Sequence, residues 1–333
     1  MLSRVADSLF WMSRYLERAE HTARLLDVNL ALALEQSSRP AERALASARW
    51  NRLLASLHMA PTPDEVCDPY RITWRLTFDN KNPSSIVNCI SGGRENARQV
   101  REQISSEMWE QINRFYLLVR QSSIESIWKT QPHEFLRTIK EGIHFFQGLT
   151  DSTLGHGEGW QFIQVGRYVE RAMATAALLS VYYGDRLSGA EALADLEESP
   201  ADQTPEYLEW VGLLKSCTAF EAYCRVYTAD LRLDRIVEFL LLDPAFPHSV
   251  RFSVDMVQAA LRSISDDTAH RPGDRVNRLA GQLGASLRYS HIEEIMASGL
   301  QAYLADIEHQ CIGAYESVYE TYIAYPIDRA LAP

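Results

Sequence analysis

Lysine is nearly absent from this chain: Lys81, Lys129, Lys140 and Lys215 are the 4 lysines among 33 basic residues, so the other 29 are arginine, set against 44 carboxylates. Cysteine is scarce too. The 5 cysteines (Cys67, Cys89, Cys217, Cys224, Cys311) are odd in number and include no CxxC pair; that suits free buried thiols in a reducing cytosol better than a disulfide frame or a zinc site. With 13 prolines and 16 glycines in 333 residues, 46% of them hydrophobic, the chain is neither collagenous nor low-complexity and has material for a large core. No segment approaches the ~20 apolar residues of a membrane span, and Met1 to Asp7 lacks the pattern of a secretory leader. A net charge of −11 argues against a general nucleic-acid binder, which needs a basic face to displace counterions, and leaves room only for a local basic groove. There is no GxSxG elbow, Walker loop or GxGxxG turn, so no nucleophile with an oriented base is assigned. The expectation is a soluble cytoplasmic protein without its own cofactor.

Alternating β-branched runs are missing as well, and helical periodicity fills the space. Leu2, Val5, Leu9, Met12, Leu16, Ala19, Ala23, Leu26, Leu30 and Ala33 advance in steps of three and four, one seam of a helix on the order of 45 Å long. Helix starts are signalled at Asp68-Pro69, Ser84-Ser85, Gln131-Pro132, Thr204-Pro205 and Arg271-Pro272-Gly273-Asp274. The fold class is all-α.

The chain also resembles itself. Ser13-Arg14-Tyr15-Leu16-Glu17-Arg18-Ala19 returns as Gly166-Arg167-Tyr168-Val169-Glu170-Arg171-Ala172 at an offset of 153. Trp50, Leu53-Leu54 and Ser56 match Trp210, Leu213-Leu214 and Ser216 at 160, and Asp79, Pro83, Ser85 and Ile86 match Asp243, Pro247, Ser249 and Val250 at 164. An offset that only grows indicates a duplication with insertions in the second copy. The spacing predicts an elongated bundle of two multi-helix repeats, residues 1–155 and 156–325, packed as one domain with approximate internal two-fold symmetry, followed by a tail, 326–333. The first insertion, Gly184 to Thr204, is acidic and reads as a solvated loop or a docking segment for a basic partner.

Two readings of the arginine excess compete: codon preference, or forked ion pairs that lysine cannot replace. For Arg39, Arg43, Arg49 and Arg329 codon preference suffices. Arg14, Glu17, Arg18 and His21 lie one turn apart on a helix that is apolar on both sides, while Ser13, Glu20 and Asp27 form a stripe that can face water. The second copy keeps Arg167, Glu170 and Arg171 but replaces His21 and Arg24 with Ala174 and Ala177. Enclosed charges need partners. Either each triad is an ion-pair knot fixing a helix, or the two face each other as a clamp for an anion or carboxylate. A further cluster, Arg94, Glu95, Arg98 and Arg101, follows the pair Gly92-Gly93, with a fresh helix start at Ser105-Ser106-Glu107.

Glu141-x-x-His144 has the spacing of a di-metal bundle ligand pair, but no second such pair exists in the chain. It leaves a metal-dependent hydrolase as the alternative of a different class. His156, Glu158 and Trp160 open the second long helix among three glycines, where a carboxylate can line a cleft.

These motifs, from Leu2-Ser3-Arg4-Val5-Ala6-Asp7-Ser8-Leu9-Phe10-Trp11-Met12 through Arg14-Tyr15-Leu16-Glu17-Arg18-Ala19-Glu20, Glu95-Asn96-Ala97-Arg98, Ser105-Ser106-Glu107-Met108-Trp109-Glu110 and Glu158-Gly159-Trp160 to Gly166–Ala172, resemble the bacterial alpha-E family over essentially the whole chain. His21 departs from the asparagine common there, and Gly92-Gly93 from bulkier residues. The resemblance implies a partner rather than a reaction: such proteins are encoded beside, or fused to, a circularly permuted ATP-grasp ligase, often with a transglutaminase-like peptidase. It implies an accessory or substrate-binding subunit of an amide ligase system, with ATP and Mg on the ligase. Arg14, Glu17, Arg18, Arg94, Glu95, Arg98, Arg101, Arg167, Glu170 and Arg171 would then bind an amino-acid or peptide substrate. A structural scaffold without a site of its own is the remaining alternative.

Overall fold

The computed structural model of the chain describes residues 1–34, 40–62, 68–193, 203–228, 230–267 and 274–324. Among these residues there is no strand, and helix follows helix. The first part comprises α1 (Ser3–Leu34), α2 (Pro40–Ser56), α3 (Pro69–Thr77), α4 (Ile86–Gln99), α5 (Ser106–Gln121), α6 (Ile124–Thr130) and α7 (Pro132–Thr153). The second comprises α8 (Glu158–Leu193), α9 (Gln203–Ser216), α10 (Phe220–Tyr227), α11 (Leu233–Leu242), α12 (Val250–Asp267), α13 (Asp274–Tyr289), α14 (Ile292–Ser298) and α15 (Leu300–Val318), which ends in a π-helical turn, Tyr319–Ile323. The boundary expected at 155/156 falls in the turn between α7 and α8. The helix α10 stands where the internal offset grows from 160 to 164.

Local chemistry explains the starts. Asp68 accepts hydrogen bonds from the backbone N–H groups of Tyr70 and Arg71 at 3.0 and 3.2 Å, ahead of Pro69 in the first turn. Ser105 accepts from the Met108 N–H at 3.1 Å. In α4 the cap is Ser85, one residue later than expected, because the Asn82 side chain holds the Ser84 N–H at 3.0 Å in a turn outside the helix. Two further helix ends are alike: His58 and Thr218, 160 residues apart, follow α2 and α9 in left-handed conformation (φ 55° and 53°). In each, the next residue's N–H returns to the carbonyl of Leu54 or Leu214 at 2.9 or 2.7 Å.

The centre of the molecule is the pair α1 and α8. Polar contacts between them join residues 157, 156, 154 and 152 apart as one moves from Met1 to Arg18, so the two helices advance side by side in the same direction. Glycine makes the approach possible: a Cβ on Gly166 would lie 2.2 Å from Ser13 Oγ and 2.3 Å from the Phe10 carbonyl oxygen. Around this pair, α4 and α7 pack on α1, while α12 and α15 pack on α8. The helix after each central one crosses over, α2 onto α8 and α9 onto α1. Phe10, Met12, Leu26, Ile90, Phe162, Leu240 and Ile264 belong to one continuous core.

No described helix is long and apolar enough to cross a membrane. Cys89, Cys217, Cys224 and Cys311 carry free thiols; Cys67 lies outside the described residues. So do Arg39, Arg329, residues 194–202 of the acidic insertion and the tail 326–333.

Candidate functional site

The duplicated motif brings its charges together across the α1/α8 seam. Arg171 donates from Nε to Glu17 Oε1 at 2.6 Å and from Nη2 to Oε2 at 3.1 Å. Arg18 donates to Glu170 in the same way, at 2.6 and 3.1 Å. Each motif thus lends its arginine to the other's glutamate. Arg14 adds a second guanidinium to Glu170 at 2.8 Å and lies against the rings of Phe10, Trp11 and Tyr315. The remaining donors are also engaged: Arg171 Nη1 reaches the Pro247 carbonyl at 3.2 Å, Arg18 Nη1 the Ser84 hydroxyl at 3.4 Å, and Gln147 donates to Glu17 at 3.1 Å. Burial opposes ionisation of Glu170, yet Arg14 and Arg18 outweigh it and hold the carboxyl below its ordinary range. For Arg171 burial is likewise overcome, by Glu17, so its guanidinium holds its proton more tightly than usual.

Beside these pairs is a cavity of about 300 Å³, at the small end of ligand sites. Its wall is drawn from corresponding positions of the internal repeat. Glu17 and Glu170, Arg18 and Arg171, Thr22 and Thr175, and Ser56 and Ser216 all line it. At other corresponding positions the chemistry differs: Glu20 corresponds to Met173, His21 to Ala174, and Ser84 to His248. Burial lowers the His21 pKa to about 4 against the opposing pull of Glu17 and Glu170, and its Nε2 has no hydrogen-bond partner. His248 is held well below its ordinary value by burial and then by Arg171 and Arg24.

Glu20 corrects an expectation. It does not face water but is 3% exposed, bound by Arg24 one turn on and approached by His144 of α7 at 3.4 Å. Ser13 of the same stripe is buried against Gly166, and Asp27 is held by Lys140 and His133. For Glu20 and Asp27 the reason is that α7 lies across this face of α1, and for Ser13 it is the close approach of α8. Arg49 needs correcting too. Codon preference does not account for it: it is buried and, with Arg52, grips Glu209. Glu209 stands 160 residues after Arg49, beside the matched tryptophans Trp50 and Trp210; this opposite charge at a matched position was the available signal.

The other expected residues do not join the cavity wall. Arg167 is buried near Asp151 at 3.6 Å and Gln164 at 3.4 Å. Arg94 lies against Trp109 and Tyr116 and donates to Asn113 at 2.9 Å, Arg101 lies over Trp109, and Glu95 pairs with Arg98 on the exposed side of α4. The structure divides the expected Arg/Glu cleft in two, an enclosed set at α1/α8 and an outer Arg/aromatic set on α4 and α5. Glu141 is exposed and 3.8 Å from Arg137, while His144 turns to Glu20, so the expected ligand pair diverges. Among the described residues no three His, Cys, Asp or Glu side chains converge as metal ligands. Glu158 holds the Met1 amino group at 2.7 Å, and His156 stacks on Trp160, rather than lining the cavity.

The fold and site define a helical protein with ion pairs exchanged between two central parallel helices and a cavity beside them. The chain belongs to the Alpha-E family, described as a predicted alpha-helical domain with a conserved ER motif, which matches residues 1–323. Glu17-Arg18 and Glu170-Arg171, the dipeptides of the exchanged pairs, are of this Glu-Arg form. The chain is similar to uncharacterised proteins of Mycobacterium bovis, 25% identical, and of Mycobacterium tuberculosis strain H37Rv, 24% identical, each over 91% of this chain and 34% of the relative. It therefore spans about a third of the length of these curated relatives. No solved structure matches it.

Proposed function

We propose that the chain is the substrate-binding, non-ATP-binding subunit of an ATP-grasp amide ligase system, taking an amino acid or peptide into the cavity beside α1 and α8. The observation that carries this reading is the cavity wall: corresponding positions meet there, identical at the exchanged Glu and Arg and unequal at Glu20, His21 and His248. Packing alone gives no reason for buried histidine and glutamate on one side where methionine and alanine suffice on the other. Arg18 and Arg171, fixed by Glu170 and Glu17, turn their charge rather than free hydrogen bonds toward a carboxylate, and Glu20 does the same toward an ammonium group. The reading takes the halves as duplicates related by approximate two-fold symmetry. It assigns the outer set of Arg94, Glu95, Arg98 and Arg101, with Trp109 and Tyr116, to contact with the ligase, since arginine and aromatic side chains are the usual anchors of protein interfaces. ATP and Mg belong to that ligase, and a transglutaminase-like peptidase is a further partner.

The test is co-purification with the cognate ligase and amide formation with and without this chain. A complex and a rate that depends on the chain are expected; no complex and an unchanged rate would sink the reading. A scaffold role is the second reading, favoured by the internal completeness of the Arg–Glu pairs.

A further inference from the structure

The exchanged pairs use their hydrogen bonds on one another, which leaves the binding capacity of the cavity to other groups. His21 Nε2 is buried without a partner, and so is the Nε–H of Arg24, a side chain one turn further along α1 that belongs to a residue only 8% exposed. His248 lines the same cavity from the turn between α11 and α12, its carbonyl held by Thr175 at 3.1 Å. The guanidinium groups of Arg14, Arg18, Arg24 and Arg171 outnumber the carboxylates of Glu17, Glu20 and Glu170, four against three. Arg14 and Arg24 stand behind the cavity wall, and each carboxylate that lines it is neutralised by a guanidinium, so the groups left unpaired are His21 Nε2 on the wall and the Arg24 Nε–H behind it.

We propose that this cavity binds a small oxyanion, a carboxylate or phosphate group, between His21 and His248 in the field of Arg24. The charge on the anion favours the imidazolium form of both histidines, so binding takes up a proton and tightens as pH falls. The other charged groups facing them are paired, and the remaining titratable groups around the cavity are Cys217, His144 and His58. Glu17, Glu20, Glu170, Arg18 and Arg171 are held in ion pairs. The Cys217 thiol, just after α9, is pushed up to about 12 by burial. From α7, Lys140 is paired with Asp27, and His144 is half in solvent; His58 stands after α2. The second repeat supplies the control: Met173, Ala174 and Ala177 occupy the positions of Glu20, His21 and Arg24 on α8. The triple substitution E20M/H21A/R24A therefore removes the site while keeping residues that this helix motif already accommodates.

This inference rests on the cavity being a ligand site but not on the partner being a ligase. The experiment is calorimetry of the full chain with sodium acetate and, separately, inorganic phosphate, at about pH 6 and about pH 8, in buffers of unequal ionisation enthalpy. Saturable binding of either anion is expected, with proton uptake and about tenfold tighter at the lower pH. H248A, and H248Q should the alanine variant melt early, should weaken binding at least about tenfold, and the triple variant should abolish it. The preferred anion identifies the class. Absence of saturable binding to both, or binding that survives the triple variant, overturns the inference. Anion binding without any effect of the chain on ligase rate supports it and sinks the proposed function; a ligase effect without anion binding does the reverse.

Discussion

Arg171 and Glu17 meet as a fork on a carboxylate, at 2.6 and 3.1 Å, across 154 residues of chain and with both residues buried. Because Arg18 and Glu170 repeat the contact in the opposite sense, the two pairs pin α1 and α8 in one register. A slip of one residue would break both. E17Q leaves the Arg171 guanidinium buried without its counter-charge and should cost about 3–5 kcal/mol in chemical denaturation. The paired change E17M/R171M should recover much of that loss. A cost near zero for E17Q would mean the pair fixes nothing.

Glycine placement gives a second, opposed pair of outcomes. G166A forces a methyl against Ser13 Oγ and the Phe10 carbonyl, where backbone cannot yield, and should cost about 1–3 kcal/mol or more. G148A, on α7 with nothing within 4 Å of the new methyl, should stabilise by up to about 1 kcal/mol. Thermal melts of the two variants should move in opposite directions.

Thr218 holds a left-handed conformation that a β-branched residue adopts only under strain. T218G should raise stability by about 1 kcal/mol, because relief of strain exceeds the extra freedom glycine gives the unfolded chain. A lowered melting temperature would count against this.

Acid should act in two stages. The pKa of His21 falls from its ordinary 6.5 to about 4 on folding, so between those values the unfolded chain binds the proton and the folded chain does not. Stability then declines as pH drops through that window, by on the order of 3 kcal/mol, with His248 adding in the same direction. Glu170 acts lower: its depressed carboxyl contributes fully above about 4.5, and that contribution is lost as pH falls further. H21A should flatten the upper stage and spare the lower; an unchanged profile in the melting temperature would refute this assignment.

Much of this was legible in residues. The seam from Leu2 to Ala33 marked α1, and the return of Arg-Tyr-x-Glu-Arg marked α8 and the enclosed charges. Periodicity finds a helix and its two faces, but not what covers them. Glu20 looked solvated until α7 was seen to lie over it, and Arg94 and Arg18 belong to different clusters although both read as Arg/Glu patches. His21 was legible only as a neighbour of the motif, and its meeting with His248 was not, for a related reason. They are 227 residues apart by number, and only the packing of the turn after α11 against the central helices brings them to one cavity.

The central proposal is that the unequal side of this cavity binds the substrate of a partner amide ligase rather than serving packing. It is tested most directly by comparing wild type with E20M/H21A/R24A in amide formation by the cognate ligase, with melting temperature measured on the same samples. The account predicts a rate at least about tenfold lower at a melting temperature within a few degrees of wild type. An undiminished rate would contradict it.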